Sequence, residues 1–330
     1  MLSIIDSTTD PYWNLAAEEY LLTGISEPVF RLWRNAPSVI VGRYQNAAAE
    51  INSEYVRTRG IPVVRRLTGG GAVFHDLGNV NYTFIDRKVE GEDTSAMFRR
   101  FTAPVIAALR SLGVEASLEG RNDLVIDGRK FSGNAVCVHG GRVLQHGTLL
   151  FSASVADLSG ALNTRPEKFI GKSVQSNRSR VTNISEHLPP AHASMTVEDF
   201  ISYLQSFIAD STDMHTRSYS AAEKADIERL RNEKYSTWQW NFGNSPGYGL
   251  NQTRRFPWGF IEVSLDVAGG IIRSCAVRGD YFFTRPTEEV ERALTGLPHS
   301  HGAVAAALSA LPLADYFGPV TAAELAELFF

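Results

Sequence analysis

Cysteine is scarce in this sequence: Cys137 and Cys275 are the two thiols in 330 residues. They offer neither a disulfide framework nor the paired spacing of a zinc site, which predicts small buried hydrophobes in a reducing compartment. No apolar window approaches the roughly 20 residues needed to cross a bilayer. Met1-Leu2-Ser3-Ile4-Ile5-Asp6 has no cationic start ahead of an apolar core, so it predicts an opening strand and no export signal. Positive charge is not in excess either. The balance of 32 Lys+Arg against 36 Asp+Glu gives a net charge of −4, and there is no basic block. That excludes a nucleic-acid footprint and disfavours an anionic membrane surface. Internal repeats, low-complexity tracts, a Gly-x-Ser-x-Gly elbow and a His-Glu-x-x-His helix are missing as well. These absences together predict a cytoplasmic protein with no nucleic-acid or membrane partner. At 44% hydrophobic and 21% charged, the composition is that of an ordinary globular chain, long enough for two unequal domains.

What is present is organised around Arg65-Arg66-Leu67-Thr68-Gly69-Gly70-Gly71-Ala72-Val73-Phe74-His75-Asp76. Ile61, Val63 and Val64 lead into the arginines, and a second short apolar run follows the glycines. Glycine inside a strand or helix is entropically costly, so three in succession need a geometric reason. A backbone that approaches a ligand closely and offers bare N–H groups supplies one, and adjacent arginines suit a phosphate or carboxylate. The alternative is a hairpin with a glycine-rich turn and arginines on a solvated edge. Asn79–Ile85 alternates as a strand, so the glycines lie between strands and open no helix. That excludes Rossmann and Walker A loops, which need strand, glycines, then helix.

In chain order, Asp10-Pro11 starts a helix that stops at Gly24. Short strands are expected over Val29–Arg34 and Ser38–Gly42, and a helix over Ser53–Arg59. Thr94 is expected to cap a long helix with the stripe Met97, Phe98, Phe101, Val105, Ala108, Leu109 and Leu112. A β-rich block follows: Val114–Leu118, Asp123–Ile126, Phe131–Val138 and Val143–Phe151. Thr196 with Asp199 and Ser220 with Glu223 have capping-box spacing. The Gly/Asn/Pro-rich stretch Asn241–Gly249 reads as a linker. Beyond it lie strands Gly259–Val267 and Ile271–Arg278, then helices at Thr287–Leu294, His301–Leu311 and Thr321–Phe329. Hairpins and helices in blocks indicate an α+β fold.

The second block with chemical content is Arg121-Asn122-Asp123-Leu124-Val125-Ile126-Asp127-Gly128-Arg129-Lys130-Phe131-Ser132-Gly133-Asn134-Ala135. Lys130 follows a hairpin turn and precedes small residues, a setting for a compact cation facing a phosphate or carboxylate; an exposed hairpin lysine is the plainer reading. Two cationic blocks, each beside glycine backbone, are what a nucleotide triphosphate plus an acid substrate would require. His75 and His146, the latter in His146-Gly147-Thr148, could orient a substrate or accept a proton. His299 and His301 lack partners at metal spacing and are expected on a surface loop. Asp76 and Asp123 are the candidates for Mg²⁺ held with a nucleotide.

The first block, continued through Leu77-Gly78-Asn79, closely resembles the signature of lipoate–protein ligases. The Arg121–Ala135 block does too, and His146-Gly147-Thr148-Leu149-Leu150 and Ser179-Arg180-Val181-Thr182-Asn183 resemble the family's third and fourth blocks. Trp238-Gln239-Trp240-Asn241-Phe242-Gly243 resembles the junction to its C-terminal accessory domain. The resemblance implies a class II biotin-protein-ligase-like catalytic domain, a mixed sheet flanked by helices, plus a small α+β accessory domain. It divides the chain into a catalytic domain at 1–244, a linker at 245–252 and an accessory domain at 253–330. It implies a reaction in which lipoate and Mg·ATP give lipoyl-AMP and pyrophosphate. The acyl group then passes to a lysine of an acceptor domain, such as a 2-oxoacid dehydrogenase E2 subunit or the glycine cleavage H protein. Lys130 would contact the lipoyl carbonyl and the phosphate, with Arg66, Gly71, Ala72, Val73 and Phe74 lining the ATP site. Thr68, Gly70, Gly71, His75, Asp123, Ser132, Ala135 and His146 would join Lys130 around lipoate or its adenylate. Val73, Val41 or Leu149 could line an apolar tunnel for the dithiolane chain. The family often has two histidines before Gly-Thr; here the first position is Gln145.

The same fold also hosts transferases that use a cysteine thioester and no ATP. Their cysteine falls near Arg121–Leu124, where this chain has none, and Cys137 is the alternative nucleophile. Relatives that transfer only preformed lipoyl-AMP, or only bind lipoate, are further alternatives. A biotin ligase is disfavoured by the lack of a Gly-Arg-Gly-Arg-type loop.

Overall fold

The computed structural model describes residues 1–162, 169–171, 181–257, 259–279 and 285–330. Ser179 and Arg180 of the fourth motif lie outside them. The strands, in order, are β1 (Leu2–Ile4), β2 (Val29–Trp33), β3 (Ser38–Val41), β4 (Val63–Arg65), β5 (Val73–His75), β6 (Asn79–Arg87), β7 (Ala116–Glu119) and β8 (Asp123–Ile126). They continue as β9 (Arg129–His139), β10 (Arg142–Leu150), β11 (Phe169–Gly171), β12 (His215–Arg217), β13 (Tyr248–Phe256), β14 (Gly259–Ala268) and β15 (Ile271–Gly279). The helices are α1 (Pro11–Gly24), α2 (Ala47–Glu50), α3 (Ser53–Thr58), α4 (Thr94–Ser111), α5 (Val155–Ala161) and α6 (Val197–Asp210). Then come α7 (Ala221–Leu230), α8 (Glu288–Leu294), α9 (His301–Ser309), α10 (Leu313–Phe317) and α11 (Ala322–Ala326). No helix among the described residues is long and apolar enough to cross a membrane.

The chain divides into two compact units, the first built from residues 1–43, 59–162 and 181–237. Its main sheet has the order β12-β1-β2-β6-β10-β9-β8-β7. The sheet is mixed: β1 runs parallel to β12 and β2, and the β2–β6, β6–β10 and β10–β9 pairs are antiparallel. Alternation along each strand gives the sheet two faces. One carries Val80, Tyr82, Phe84, Leu124, Phe131 and Leu149 into a core shared with Met97, Phe101, Val105 and Leu109 of α4 and Phe200, Leu204 and Ile208 of α6. Leu149, offered for a tunnel, is part of this core. The other face takes α1, which lies against β6 and β10. A separate three-stranded sheet, β4-β3-β5, carries the glycine-rich turn between β4 and β5.

Local signals explain most helix ends. Asp10 accepts from the Tyr12 and Trp13 amides, and both expected capping boxes, Thr196/Asp199 and Ser220/Glu223, are formed. At α4 the cap is Asp93, whose carboxylate accepts from the Ala96 amide at 2.7 Å, and Thr94 is the first helical residue. Gly113, with φ of 81°, ends that helix in a conformation glycine adopts without strain.

The second unit comprises residues 44–58, 169–171 and the described part of 238–330. Its sheet, β11-β13-β14-β15, is antiparallel throughout. Leu250, Ile261, Val263, Val267 and Ile272 pack there against Val290, Leu294, Val304, Leu308 and Leu325 of the helices. Part of the stretch 245–252, expected as linker, is strand: β13 begins at Tyr248, and Tyr248 and Leu250 are buried. Their alternation outweighs a loop-like composition. His299 is likewise buried and not on the surface. It sits between the Tyr248 hydroxyl and the Phe329 carbonyl, and burial pushes its imidazole down to about 4.

Candidate active site

The glycine-rich turn closes over the end of β3. The Arg43 amide donates to the Thr68 carbonyl at 2.8 Å, and the Arg66 amide to the Val41 carbonyl at 3.0 Å. Gly70 has a φ of 89°, which a side chain would strain. Gly42 lies so close beneath it that an added Cβ would collide with the Gly70 carbonyl oxygen. Arg66 is buried and holds the turn from inside. Its Nε donates to the Thr68 hydroxyl at 2.9 Å, Nη2 to the carbonyls of Gly69 and Gly71 at 2.6 and 2.8 Å, and Nη1 to Ile40 at 3.2 Å. Expected as a nucleotide contact, Arg66 thus spends its donors on backbone carbonyls and sets the shape of the loop. Burial lowers it to about 10, so it stays charged at neutral pH. Arg66 thereby engages the Gly69 and Gly71 carbonyls and fixes the course of the turn backbone.

Lys130 is placed by a β-bulge. In the β8–β9 pair Leu124 faces Ser132 and Val125 faces Lys130, so Phe131 has no opposite residue. Without the bulge, Lys130 would share a face with Ser132 and Asn134. The extra residue moves it to the face of Gly133, Ala135 and His146, while Phe131 enters the core. Its ammonium pairs with Asp123 at 2.8 Å across bare Gly133 backbone, where a Cβ would stand 3.1 Å from Lys130 Nζ. The Thr182 amide donates to the Lys130 carbonyl at 2.9 Å, and Arg129 donates to the Val181 carbonyl. The described part of the fourth motif therefore braces the lysine strand.

Loop and lysine are joined through β10. His146 Nε2 lies 2.8 Å from the Thr68 hydroxyl. Two residues along, the Thr148 hydroxyl accepts from the Gly133 amide at 3.0 Å. The same face thus brings together Thr68 with its glycine turn, His146, Ala135, Asp123 and Lys130. Glu18 of α1 belongs here too, 3.0 Å from His146 Nδ1, although nothing in its helical context singled it out.

Other expected residues fall elsewhere. Ser132 faces the core side, where its hydroxyl accepts from Asn134 Nδ2 at 3.2 Å. Gln145 faces that side as well and bonds Asn134 and Tyr82. Consecutive strand residues point to opposite faces, so position 145 does not share a site with His146. Asp76 is a turn brace. One carboxylate oxygen accepts from the Gly78 and Asn79 amides and the other from Ser154 at 2.7 Å. Asp123, half-exposed beside Lys130, retains one oxygen for a cation held mainly by phosphates. Among the described residues no cluster of three His, Cys, Asp or Glu forms a metal site. Cys137 has its thiol pushed up to about 12, by burial and then by Glu18 and Glu19, the reverse of an activated nucleophile.

His75 sits deep beside the site, with Nδ1 accepting from Asn35 Nδ2 at 3.0 Å, which leaves the hydrogen on Nε2. Burial, followed by Arg66 and His146, holds the ring down to about 3. A histidine lowered on folding is protonated more readily when unfolded, so stability falls as pH drops from about 6.5 towards 3. A histidine NMR titration is expected to keep His75 neutral at pH 5. A protonated His75 there would contradict the burial and bonding described.

The fold is a mixed sheet flanked by helices of the biotin-ligase-like type, with Lys130 and the loop-bound His146 on one face. Residues 10–209 match the Lipoyl protein ligase A/B catalytic domain and residues 245–329 the Bacterial lipoate protein ligase C-terminus. The chain is 41% identical over 326 residues to the lipoate-protein ligase LplJ of Bacillus subtilis, covering 97% of each. An archaeal lipoate protein ligase from Thermoplasma acidophilum, solved in a study with its E2 lipoyl domain, superposes with a TM-score of 0.62 at 26% identity, over 74% of this chain and 96% of that one. A lipoate-protein ligase A bound with ATP gives 0.61 at 26%, over 74% and 98%. The chain belongs to the lipoate–protein ligase family and is a ligase.

Proposed function

We propose that the protein activates lipoate with ATP to lipoyl-AMP, releasing pyrophosphate, and transfers the lipoyl group to a lysine of E2 lipoyl domains and of the glycine cleavage H protein. The single observation that carries this is the bulge at Phe131, which turns Lys130 onto the face of His146 and the glycine turn. Within residues 1–244 the first compact unit would do the chemistry, and the second unit, which holds 253–330 together with 44–58 and 238–252, would act as an accessory domain.

The chemistry follows from charge. A carboxylate and a triphosphate repel each other, and fixed cations placed in advance remove that barrier at no reorganisation cost. Lys130 bridges the two anions, leaving Asp123 as they arrive. Backbone from Gly71 to Phe74 lines the nucleotide site, and His75 Nε2–H is a donor available to the lipoyl end. Mg²⁺, with Asp123 as its protein ligand, would neutralise phosphate charge. In the second step the acceptor amine attacks the acyl carbonyl, AMP leaves, and Lys130 stabilises the carbonyl oxygen as charge builds on it. The test is mass spectrometry of an acceptor lysine incubated with enzyme and lipoate, with and without ATP. Lipoylation only with ATP is expected. No modification in the presence of ATP would overturn this reading, and modification that instead required a lipoyl thioester donor and no nucleotide would point to thioester transfer.

A further inference from the structure

We propose that Glu18 is a positioning residue for the glycine-rich loop, acting through His146 and Thr68. Its carboxylate is buried, with both oxygens 3.0 Å from His146 Nδ1. His146 Nε2 meets the Thr68 hydroxyl at 2.8 Å, and the same hydroxyl accepts from Arg66 Nε at 2.9 Å. Arg66 then grips the carbonyls of Gly69 and Gly71. A continuous line of hydrogen bonds thus runs from the middle of α1 to the loop backbone. Every side chain in it is buried, so no water competes for its bonds.

The far end of the line is anchored as well. The Thr83 hydroxyl donates to Glu18 at 2.6 Å and accepts from Trp33 Nε1 at 2.8 Å, so Glu18 is fixed from β6 and β2. Charge supports the same assignment. Burial alone would raise the Glu18 carboxyl, yet the charge and hydrogen bond of His146, the Thr83 hydroxyl and Arg31 hold it below the usual range. That negative charge in turn favours the charged form of Arg66. A buried guanidinium that shapes a loop needs such a counter-charge. Tying it through His146 and Thr68, instead of by a direct ion pair, leaves the two terminal nitrogens of Arg66 to bond backbone carbonyls.

That the ordered loop serves adenylate formation rests on the ligase reading above; that Glu18 orders it does not. Hydrogen exchange of residues 66–74 should be measured in Glu18→Gln, which keeps shape and loses charge, and in Thr68→Val, which cuts the line at its other end. Both are expected to speed loop exchange about tenfold or more, the loss of one charge-assisted hydrogen bond, with β6 and β10 amides unchanged. Both should also raise the KM for ATP in lipoate-dependent pyrophosphate exchange more than they lower kcat. Wild-type loop protection in both variants, even with lowered melting temperature, would overturn the proposal and leave Glu18 a core residue. Should Glu18→Gln not fold, Thr68→Val makes the same comparison. A wild-type enzyme without lipoate-dependent exchange would sink the ligase reading, and the loop measurement would still decide the role of Glu18.

Discussion

Lys130→Ala is expected to lower lipoyl-AMP formation by roughly a hundredfold to a thousandfold, the usual effect of removing one preorganised charge from a reacting centre. Two losses combine. The cation that bridges carboxylate and phosphate is gone, and Asp123 is left unpaired where two further anions must approach. Stability should hardly change. Lys130 and Asp123 side chains are 26% and 30% exposed, and ion pairs of that exposure contribute at most about 1 kcal/mol. Lys130→Arg keeps the charge but replaces a compact ammonium by a planar fork, so it should restore little. Removing the stranded carboxylate as well, in Lys130→Ala/Asp123→Asn, should recover part of the loss. The check is pyrophosphate exchange beside thermal unfolding. Near-wild-type exchange in Lys130→Ala would leave the bulge at Phe131 without a purpose.

Gly42→Ala is expected to have the next largest effect, by a different route. The added methyl lands on the Gly70 carbonyl oxygen and close to the Arg66 guanidinium. Neither is the loose end of a flexible side chain, because Arg66 is tied down by its bonds to Thr68, Gly69 and Gly71. Either β3 or the glycine turn must move. Overpacking of this kind costs about 1–3 kcal/mol, and displacing a binding loop by about an ångström can cost on the order of a hundredfold in rate. Gly60→Ala provides the contrast. At Gly60 a Cβ would meet nothing within 4 Å, but φ is 62°, so stability should fall by about 1–2 kcal/mol while the rate per folded molecule stays the same. If both variants lost stability alone, the loop would not be the nucleotide cradle.

The sequence made some of this arrangement legible, for identifiable reasons. That the glycines join two strands followed from local alternation on either side, and the capping boxes at Thr196 and Ser220 from spacing alone. At α4 two good capping residues stand side by side, and propensity could not choose Asp93 over Thr94. The bulge at Phe131 was not legible, because it depends on which residues of β8 and β9 face each other. It turns Ser132 to the core side and Lys130 to the face of Gly133 and His146. Asp76 looked free for a metal because its partner, the Ser154 amide, is far along the chain. Glu18 was overlooked for the same reason. In a helix its run of neighbours marks it as an ordinary polar position, and the histidine that makes it necessary is 128 residues away.

One adenylate is expected to be held at once by the Lys130 ammonium and by the loop backbone from Gly71 to Phe74. The most direct test is a crystal structure of the protein with a non-hydrolysable acyl-sulfamate analogue of lipoyl-AMP. Lys130 Nζ is expected to be withdrawn from Asp123 and bonded to the acyl carbonyl, with the loop backbone against the nucleotide. An analogue bound away from the loop, with the Lys130–Asp123 pair intact, would contradict it.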